Sequence, residues 1–224
     1  VIAVLISLVA STLIGVLNGF MVSTVGIPAI IATYATQTAF MGLALIMCGG
    51  MPISGFSKGF AMIGQGYVGV VPIPVIIMAI CCAIGSFILN KTYFGRYFYA
   101  IGGNEKATQL SGIDTNKVYF IAYANMGLLA GLAGLLCAAR VGSVNGSTGT
   151  SFEMDAIGSC FIGGASAYGG SGTVGGVVIG ALLLGVINMG MSIMGIGDSW
   201  QYVVKGAVLL IAVVFDVLSN RKNG

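Results

Sequence analysis

The sequence predicts an all-α, polytopic bundle of transmembrane helices with about seven membrane segments. The chain of 224 residues is 57% hydrophobic and only 7% charged, whereas soluble domains carry about a quarter charged residues. Its mean hydropathy is +1.03, and its apolar runs reach the roughly 20 residues that a helix needs to cross a bilayer. These runs are continuously apolar rather than alternating, which argues against a membrane β-barrel.

The segments follow one another with short connections. Residues 49–70 are richer in Gly, Pro and Ser and predict a loop with a surface helix, and Pro28 suits the first turn of the second span. The stretch 154–172 is short and broken by Gly, so it is either a half-span or a tilted helix. The predicted segments cover residues 1–22, 27–48, 71–90, 118–139, 154–172, 173–195 and 200–218.

The beginning of the chain predicts a fragment. Val1 opens within a hydrophobic run, with no initiating Met and no signal-like start. We therefore expect residues 1–224 to be a single transmembrane domain that lacks N-terminal spans. The five Cys lie in or beside apolar stretches with no metal-like spacing, no His is present, and we expect neither a metal site nor a catalytic residue.

Residues 91–117 are the one long polar interruption between apolar stretches. They carry six of the fifteen formal charges, four of them basic. Because Lys and Arg accumulate on the cytoplasmic side of membrane proteins, we expect this loop and the C-terminal tail to be cytoplasmic, with Lys58 and Arg140 outside. That arrangement requires the weak segment 154–172 to cross the membrane.

The polar loop contains the signals of a short helix. Asn104 is a good N-cap and Gly112 a good C′ residue, and Glu105 in the first turn suits the helix dipole. The sequence therefore predicts about two helical turns over Glu105 to Ser111, held between flexible glycine joints at Gly102-Gly103 and Gly112. Asp114 or Thr115 then caps the next span. The helix is either a connecting turn or a docking element for a cytoplasmic subunit. The length of the loop favours docking, because a connector needs few residues.

Two long runs resemble a known family. FGRYFYAIGGNEKATQLSGIDTNKVYFIAYANMGLLAGLAGLL and EMDAIGSCFIGGASAYGGSGTVGGVVIGALLLGVINMG are similar to the permease subunits of bacterial sugar ABC importers of the ribose, xylose and galactoside group. The loop MPISGFSKGFAMIGQGYVG looks closest to the galactose/methyl-galactoside permeases. The resemblance covers nearly the whole chain, and the family's first few spans are missing from it.

The resemblance implies a multi-pass protein of the inner (plasma) membrane that is not itself an enzyme. It implies three partners besides membrane lipid: an ABC ATPase, a periplasmic or lipid-anchored sugar-binding protein and a second permease copy. ATP would be bound by the ATPase, so the chain needs no cofactor, and it contains no G-x-x-x-x-G-K-[ST] phosphate cradle. Nothing in the small positive charge points to nucleic acid. The family's ATPase-coupling helix corresponds here to Asn104, Glu105, Lys106, Ala107, Leu110, Ser111 and Gly112.

A sugar pathway needs hydrogen-bonding side chains rather than a deep charge. Polar residues within membrane spans are rare and are therefore candidates for this role. Gln37, Asn125 and Asn188 are the predicted pathway residues, although hydrogen bonding between helices is the alternative for each. We further expect Lys205 to snorkel outward and Asp216 to lie at the cytoplasmic boundary. Glu153 and Asp155, on the outer side, are expected either to meet the binding protein or to cap the next helix at its N-terminus.

The glycine-rich stretch from Gly170 to Gly180 matches the dinucleotide-binding pattern G-x-G-x-x-G. We do not predict a nucleotide site there, because no strand precedes the glycines and no acidic residue that could bind the ribose follows them. Close helix packing is the better interpretation. Gly15/Gly19 and Gly127/Gly131 repeat the same small-residue spacing, which predicts packing within the bundle or a contact between permease copies.

Other functions are weighed against a sugar permease. A branched-chain amino-acid ABC permease has a similar layout. An ion-coupled secondary transporter usually needs an acidic site at mid-membrane, which the spans lack. A scaffold without transport activity stays open, whereas the absence of His and of paired carboxylates argues against an intramembrane hydrolase.

Overall fold

The computed structural model describes residues 2–166 and 169–222, with side chains except at positions 198 and 215–222. Their contacts divide the chain into two compact units. Unit 1 comprises residues up to Ile80 together with Asp114–Gly149, and unit 2 comprises Cys81–Ile113 together with the residues from Thr150 onward. The expectation of a single domain stays a prediction, and each unit is described by itself.

Helices make up most of the described chain. In order, the elements are α1 (Ile2–Phe20), a π-helical turn (Met21–Val25), α2 (Ala29–Cys48), β1 (Ile53–Ser54), α3 (Lys58–Gln65), β2 (Tyr67–Val68), β3 (Val71–Pro72), α4 (Ile73–Lys91), α5 (Tyr93–Gly103), α6 (Glu105–Leu110), α7 (Thr115–Val141), β4 (Ser143–Val144), α8 (Phe152–Ile162), α9 (Val174–Ile193) and α10 (Asp198–Lys222). The all-α prediction is confirmed, because the strands are only two residues long.

The number of helices that can span a membrane is lower than predicted. Within the described residues, five helical segments are long and apolar enough, namely Ile2–Val25, Ala29–Cys48, Ile73–Lys91, Thr115–Val141 and Val174–Ile193. Helix α8 has only 11 residues, about 16 Å of rise against a hydrocarbon core of about 30 Å. In α10 the apolar part is Ser199–Val214. The predicted segment at 154–172 therefore contains a half-length helix that ends at Ile162.

In unit 1, α1 and α7 pack through glycines. A Cβ at Gly127 would lie 2.9 Å from Cα of Gly15, and one at Gly131 would meet the side chain of Ser11. Two helix backbones approach this closely only where side chains are absent. The predicted small-residue faces therefore pack against each other within the chain.

A pair of substitutions on α7 tests this packing. We expect Gly127→Val to lower the free energy of unfolding by about 1–3 kcal/mol, because the new side chain would overlap the α1 backbone. Gly134→Val is the matched control, since no atom lies within 4 Å of a Cβ there. The midpoint of thermal unfolding in detergent is measured for both variants. Equal midpoints would contradict the prediction that the contact between α1 and α7 leaves no room for a side chain at Gly127.

The two ends of α7 contact different parts of unit 1. At its C-terminal end, Nε2 of Gln65 in α3 donates to the Arg140 carbonyl at 3.0 Å, and β4 pairs antiparallel with β1. At its N-terminal end, residues of the π-helical turn and the start of α7 line a cleft of about 340 Å³. Lys58 of α3 and Arg140 thus belong to the same end of unit 1, and their location outside the membrane stays a prediction.

In unit 2, α8 and α9 run antiparallel along a second glycine seam. A Cβ at Gly180 would meet the Ser159 carbonyl, and one at Gly158 would lie 3.0 Å from Cδ1 of Leu184. A Cβ at Gly176 would likewise meet the Gly163 carbonyl. The predicted small-residue spacing is therefore used for helix packing at Gly176 and Gly180, whereas no atom lies within 4 Å of a Cβ at Gly175.

The polar segment 91–117 is mainly helical rather than a loop. The sequence predicted a flexible glycine joint before the short helix, but Gly102 and Gly103 are the last residues of α5. The reason is packing, since a Cβ at Gly102 would lie 3.0 Å from Cα of Gly170. The predicted joint was wrong, and Asn104 alone separates α5 from α6.

Candidate functional site

Helix α6 is built by the capping residues that the sequence predicted. Oδ1 of Asn104 accepts the backbone N–H of Ala107 at 3.0 Å, which satisfies one of the orphan donors of the first turn. The Ser111 hydroxyl donates to the Ala107 carbonyl at 2.9 Å. Gly112 follows with φ of +85°, a left-handed conformation that glycine adopts without strain.

Nearly all side chains of α6 are exposed rather than packed against the rest of unit 2. Leu110 is 90% exposed, and the predicted coupling residues Asn104 to Ala107, Ser111 and Gly112 are all exposed as well. Thr108, which was not among the predicted coupling residues, is the buried residue of the helix. It is 6% exposed, and its hydroxyl donates to the Asn104 carbonyl within the same helix at 2.8 Å. The other side chains of α6 are therefore open to contact.

Helix α5 connects this surface to the chain that leads into α9. The Tyr99 hydroxyl donates to the Gly172 carbonyl at 2.8 Å, and the backbones of Gly102 and Gly170 are in contact. Gly170 has φ of +76°, so a side chain is unfavourable there for conformational as well as steric reasons. We call this contact the α5 junction. It joins α6 to the segment between α8 and α9.

The start of α7 is capped as predicted. Oδ1 of Asp114 accepts the Lys117 backbone N–H at 3.2 Å, and Nζ of Lys117 lies 3.0 Å from Oδ2 of Asp114. The hydrogen bond from the Lys117 side chain holds the pKa of the Asp114 carboxyl below its usual value. The carboxylate therefore stays charged at the helix N-terminus, where a negative charge is favourable.

The three predicted pathway residues have different surroundings. Gln37 on α2 and Asn125 on α7 are exposed, and no hydrogen bond joins them among the described residues of unit 1. Asn188 on α9 belongs to unit 2. Asn18, another polar residue within a span, accepts a hydrogen bond from the Thr36 hydroxyl at 2.8 Å and so links α1 to α2. The pathway role of Gln37, Asn125 and Asn188 stays a prediction.

Asn188 is part of a polar cluster that the sequence analysis did not assemble. Nζ of Lys205 on α10 donates to Oδ2 of Asp155 on α8 at 2.8 Å, and Nδ2 of Asn188 lies 3.5 Å from Oδ1 of the same carboxylate. We call these three residues the polar triad. The side chains of Lys205 and Asp155 are only 19% and 29% exposed.

The triad corrects one expectation. Lys205 does not snorkel outward, because a carboxylate within 2.8 Å compensates its charge where it lies. The partner was missed because the two residues are 50 positions apart, and the antiparallel packing of α8 on α9 that positions Asp155 depends on glycines rather than on any charge pattern. The side chain of Asp216, expected at the cytoplasmic boundary, lies outside those described.

Breaking the ion pair tests how far it stabilises unit 2. We expect Lys205→Met to lower the free energy of unfolding by about 3 kcal/mol, since it leaves the Asp155 carboxylate uncompensated in a low-dielectric setting. The double variant Asp155→Asn/Lys205→Met should regain most of that loss, because neither charge remains. Thermal unfolding in detergent measures both. A single variant as stable as the parent would mean that water already solvates Asp155.

Comparison with known proteins identifies the family of the chain. Residues 1–213 match a family described as "Branched-chain amino acid transport system / permease component". The chain belongs to this permease family. It is therefore a multi-pass protein of the inner membrane, as its composition and the resemblance predicted. No solved structure matches the chain.

Curated relatives carry the names of sugar permeases. The ribose import permease protein of Haemophilus influenzae is 41% identical over 93% of this chain and 66% of its own length. The xylose transport system permease protein of the same organism is 33% identical over 99% of the chain and 75% of its own length. The galactose/methyl galactoside import permease protein of Escherichia coli K12 is 35% identical, with 96% and 66% covered. The chain thus spans about two thirds of the length of most of these relatives. They are transport subunits rather than enzymes.

Proposed function

We propose that the chain is the membrane-spanning subunit of an ATP-binding-cassette importer that moves a monosaccharide into the cytoplasm. The observation that carries the proposal is the similarity to sugar import permeases at 33–41% identity over 89–99% of the chain. The fold agrees with this assignment, since several long apolar helices are combined with a short helix, α6, whose side chains are mostly exposed.

The energy would come from a separate ATPase. In this proposal α6 docks on that ATPase, with exposed Leu110 and Ala107 at the contact and Asn104 holding the helix in shape. ATP is bound by the ATPase, so the permease itself requires no cofactor. Closure of the ATPase pair would move α6 as a rigid body and shift the membrane helices between two arrangements. This opens the pathway alternately to each side.

Two further partners complete the proposal. A periplasmic or lipid-anchored sugar-binding protein delivers the substrate, and a second copy of the chain forms the other wall of the pathway, both embedded in membrane lipid. The many exposed apolar side chains of the single chain, such as Ile30 at 83%, support contacts with lipid or with a second copy. In this arrangement α6 faces the cytoplasm, and the C-terminal end of α7 faces the outside.

The relatives also bear on the sugar. The ribose permeases named in the comparison are 40–41% identical to the chain, whereas the galactose/methyl galactoside permeases are 34–35% identical. The galactoside assignment drawn from the loop at 51–69 therefore receives less support than a ribose assignment. We take D-ribose as the first substrate to test and D-xylose and D-galactose as the next.

Reconstitution in liposomes with the ATPase and the binding protein tests the proposal. We expect uptake of radiolabelled D-ribose, or of one of the other two sugars, that requires ATP and stops when a non-hydrolysable ATP analogue replaces it. Uptake of leucine without any sugar would instead support an amino-acid permease, the alternative that the family description favours. Uptake driven by an ion gradient without ATP would show a secondary transporter.

A further inference from the structure

The polar triad holds a hydrogen-bond acceptor that nothing in the structure satisfies. Oδ1 of Asn188 is buried and has no hydrogen-bond partner among the described residues. Its Nδ2 lies at the long distance of 3.5 Å from Asp155. An unsatisfied buried acceptor is unfavourable, and buried polar groups in proteins are nearly always paired. The position therefore has room for a donor that the described part of the chain does not supply.

The triad lies at the end of unit 2 opposite the α5 junction. Asp155 is in the first turn of α8, whereas the chain after α8 contacts α5 through Gly170. Asn188 is in the last turns of α9, and Lys205 lies seven residues after the start of α10, about 10 Å along the helix. If α6 faces the cytoplasm, the triad belongs to the outer half of the membrane.

The ion pair is partly accessible. Asp155 and Lys205 retain 29% and 19% of their side-chain exposure, and ionisable groups within a membrane domain face a bundle interior or a water-filled cavity rather than lipid. A partly buried ion pair is also a poor source of stability, because desolvation offsets the attraction between the charges. Both points favour a role in the pathway over a role in holding the fold.

The chemistry of the triad selects a neutral ligand that is rich in hydroxyl groups. Its net charge is zero, since the Lys205 ammonium compensates the Asp155 carboxylate. One N–H of that ammonium is used by Asp155 and two remain as donors, while Oδ1 of Asn188 and of Asp155 are acceptors. Adjacent hydroxyls of a sugar both donate and accept, so they match this alternation. A zwitterionic amino acid would instead compete with each member of the ion pair.

We propose that Asn188, Asp155 and Lys205 form a substrate contact in the outer half of the translocation pathway, and that Oδ1 of Asn188 accepts a hydrogen bond from a hydroxyl of the monosaccharide. The inference rests on the proposed function and adds to it the residues that bind the sugar. Because Oδ1 is covered in the structure described, the contact forms when α8 and α9 separate enough to admit the ligand.

Uptake of the intact sugar and of its deoxy analogues, measured for the parent and for an Asn188 variant, tests the contact. The full transporter with its ATPase and binding protein is assayed for uptake of the sugar that it transports and of each monodeoxy analogue of that sugar. We expect Asn188→Leu, which keeps the side-chain volume and removes the acceptor, to lower kcat/KM for the intact sugar about tenfold. For one deoxy analogue the variant should have no further effect, because that analogue lacks the hydroxyl that Asn188 would accept.

Controls separate the possible failures. Asn90→Leu, at the opposite end of unit 2 and bonded only to Ser86, should leave uptake and the deoxy series unchanged. ATPase activity stimulated by the binding protein should persist in Asn188→Leu. If that variant does not accumulate in the membrane, Asn188→Ala is used in the same cycle. An equal loss for every analogue, or no loss at all, would overturn the contact while sugar uptake by the parent still supported the importer. Absence of uptake by the parent would overturn both.

Discussion

Ala107→Arg is expected to lower sugar uptake by about tenfold or more, which corresponds to about 1.4 kcal/mol of lost coupling. Ala107 is exposed on α6, where an arginine side chain would fit without disturbing unit 2 but would hold a docked partner away. Its backbone N–H keeps the bond to Asn104, so the helix should still form. The measurements are uptake in proteoliposomes and co-purification of the ATPase, and both should fall together.

An arginine elsewhere on the polar surface separates docking from charge. Asn90→Arg is the matched control, because Asn90 is exposed at the end of α4 and outside α6. We expect it to retain uptake and the ATPase. An Ala107→Arg chain that transports sugar at the parental rate would contradict the role of α6 as the docking element. If that chain failed to reach the membrane, Ala107→Gln would be assayed in the same way.

Gly102→Val is expected to reduce uptake by a similar factor through a different step. The new side chain would overlap the backbone at Gly170, which forces α5 away from the segment before α9 and disrupts the hydrogen bond of Tyr99 to Gly172. Because α6 itself is unchanged, the ATPase should still co-purify and hydrolyse ATP. Hydrolysis without uptake is the expected result, since the α5 junction then no longer transmits the movement of α6.

The neighbouring glycine provides the control for this substitution. No atom lies within 4 Å of a Cβ at Gly103, so Gly103→Val makes the same change in helix propensity without the steric overlap. We expect it to transport at close to the parental rate. Equal loss in both variants would attribute the defect to α5 itself, and normal uptake by Gly102→Val would show that the junction carries no coupling.

The sequence predicted those features that depend on neighbouring residues. The N-cap at Asn104, the left-handed Gly112 and the cap at Asp114 are all present, because each needs only a suitable side chain or a glycine at a fixed offset. The long apolar helices were likewise predictable, since composition over about 20 residues decides them.

Features that depend on tertiary packing were not predictable. Gly102 seemed to be a hinge because glycine often is one, yet the approach of Gly170 from 68 positions away makes it a contact residue inside a helix. Lys205 was expected to snorkel outward because a long lysine side chain can bring its ammonium to the membrane surface. Its pairing with Asp155 depends on the antiparallel packing of α8 against α9. Glycine contacts determine that packing, so the pattern of charged residues in the sequence does not reveal it.

The short length of α8 has a consequence for solvent within the membrane. If the segment 154–172 crosses the membrane, as the charge pattern predicts, the 11 residues of α8 span only about half of the bilayer thickness. Peptide groups outside a helix persist within the bilayer only where protein or water satisfies them. The Gly164 amide donates to the Phe161 carbonyl at 3.0 Å, so the test position is Gly172. Its amide should exchange with deuterated buffer far faster than those of α9. Fast exchange there would show that water reaches this part of the chain within the membrane.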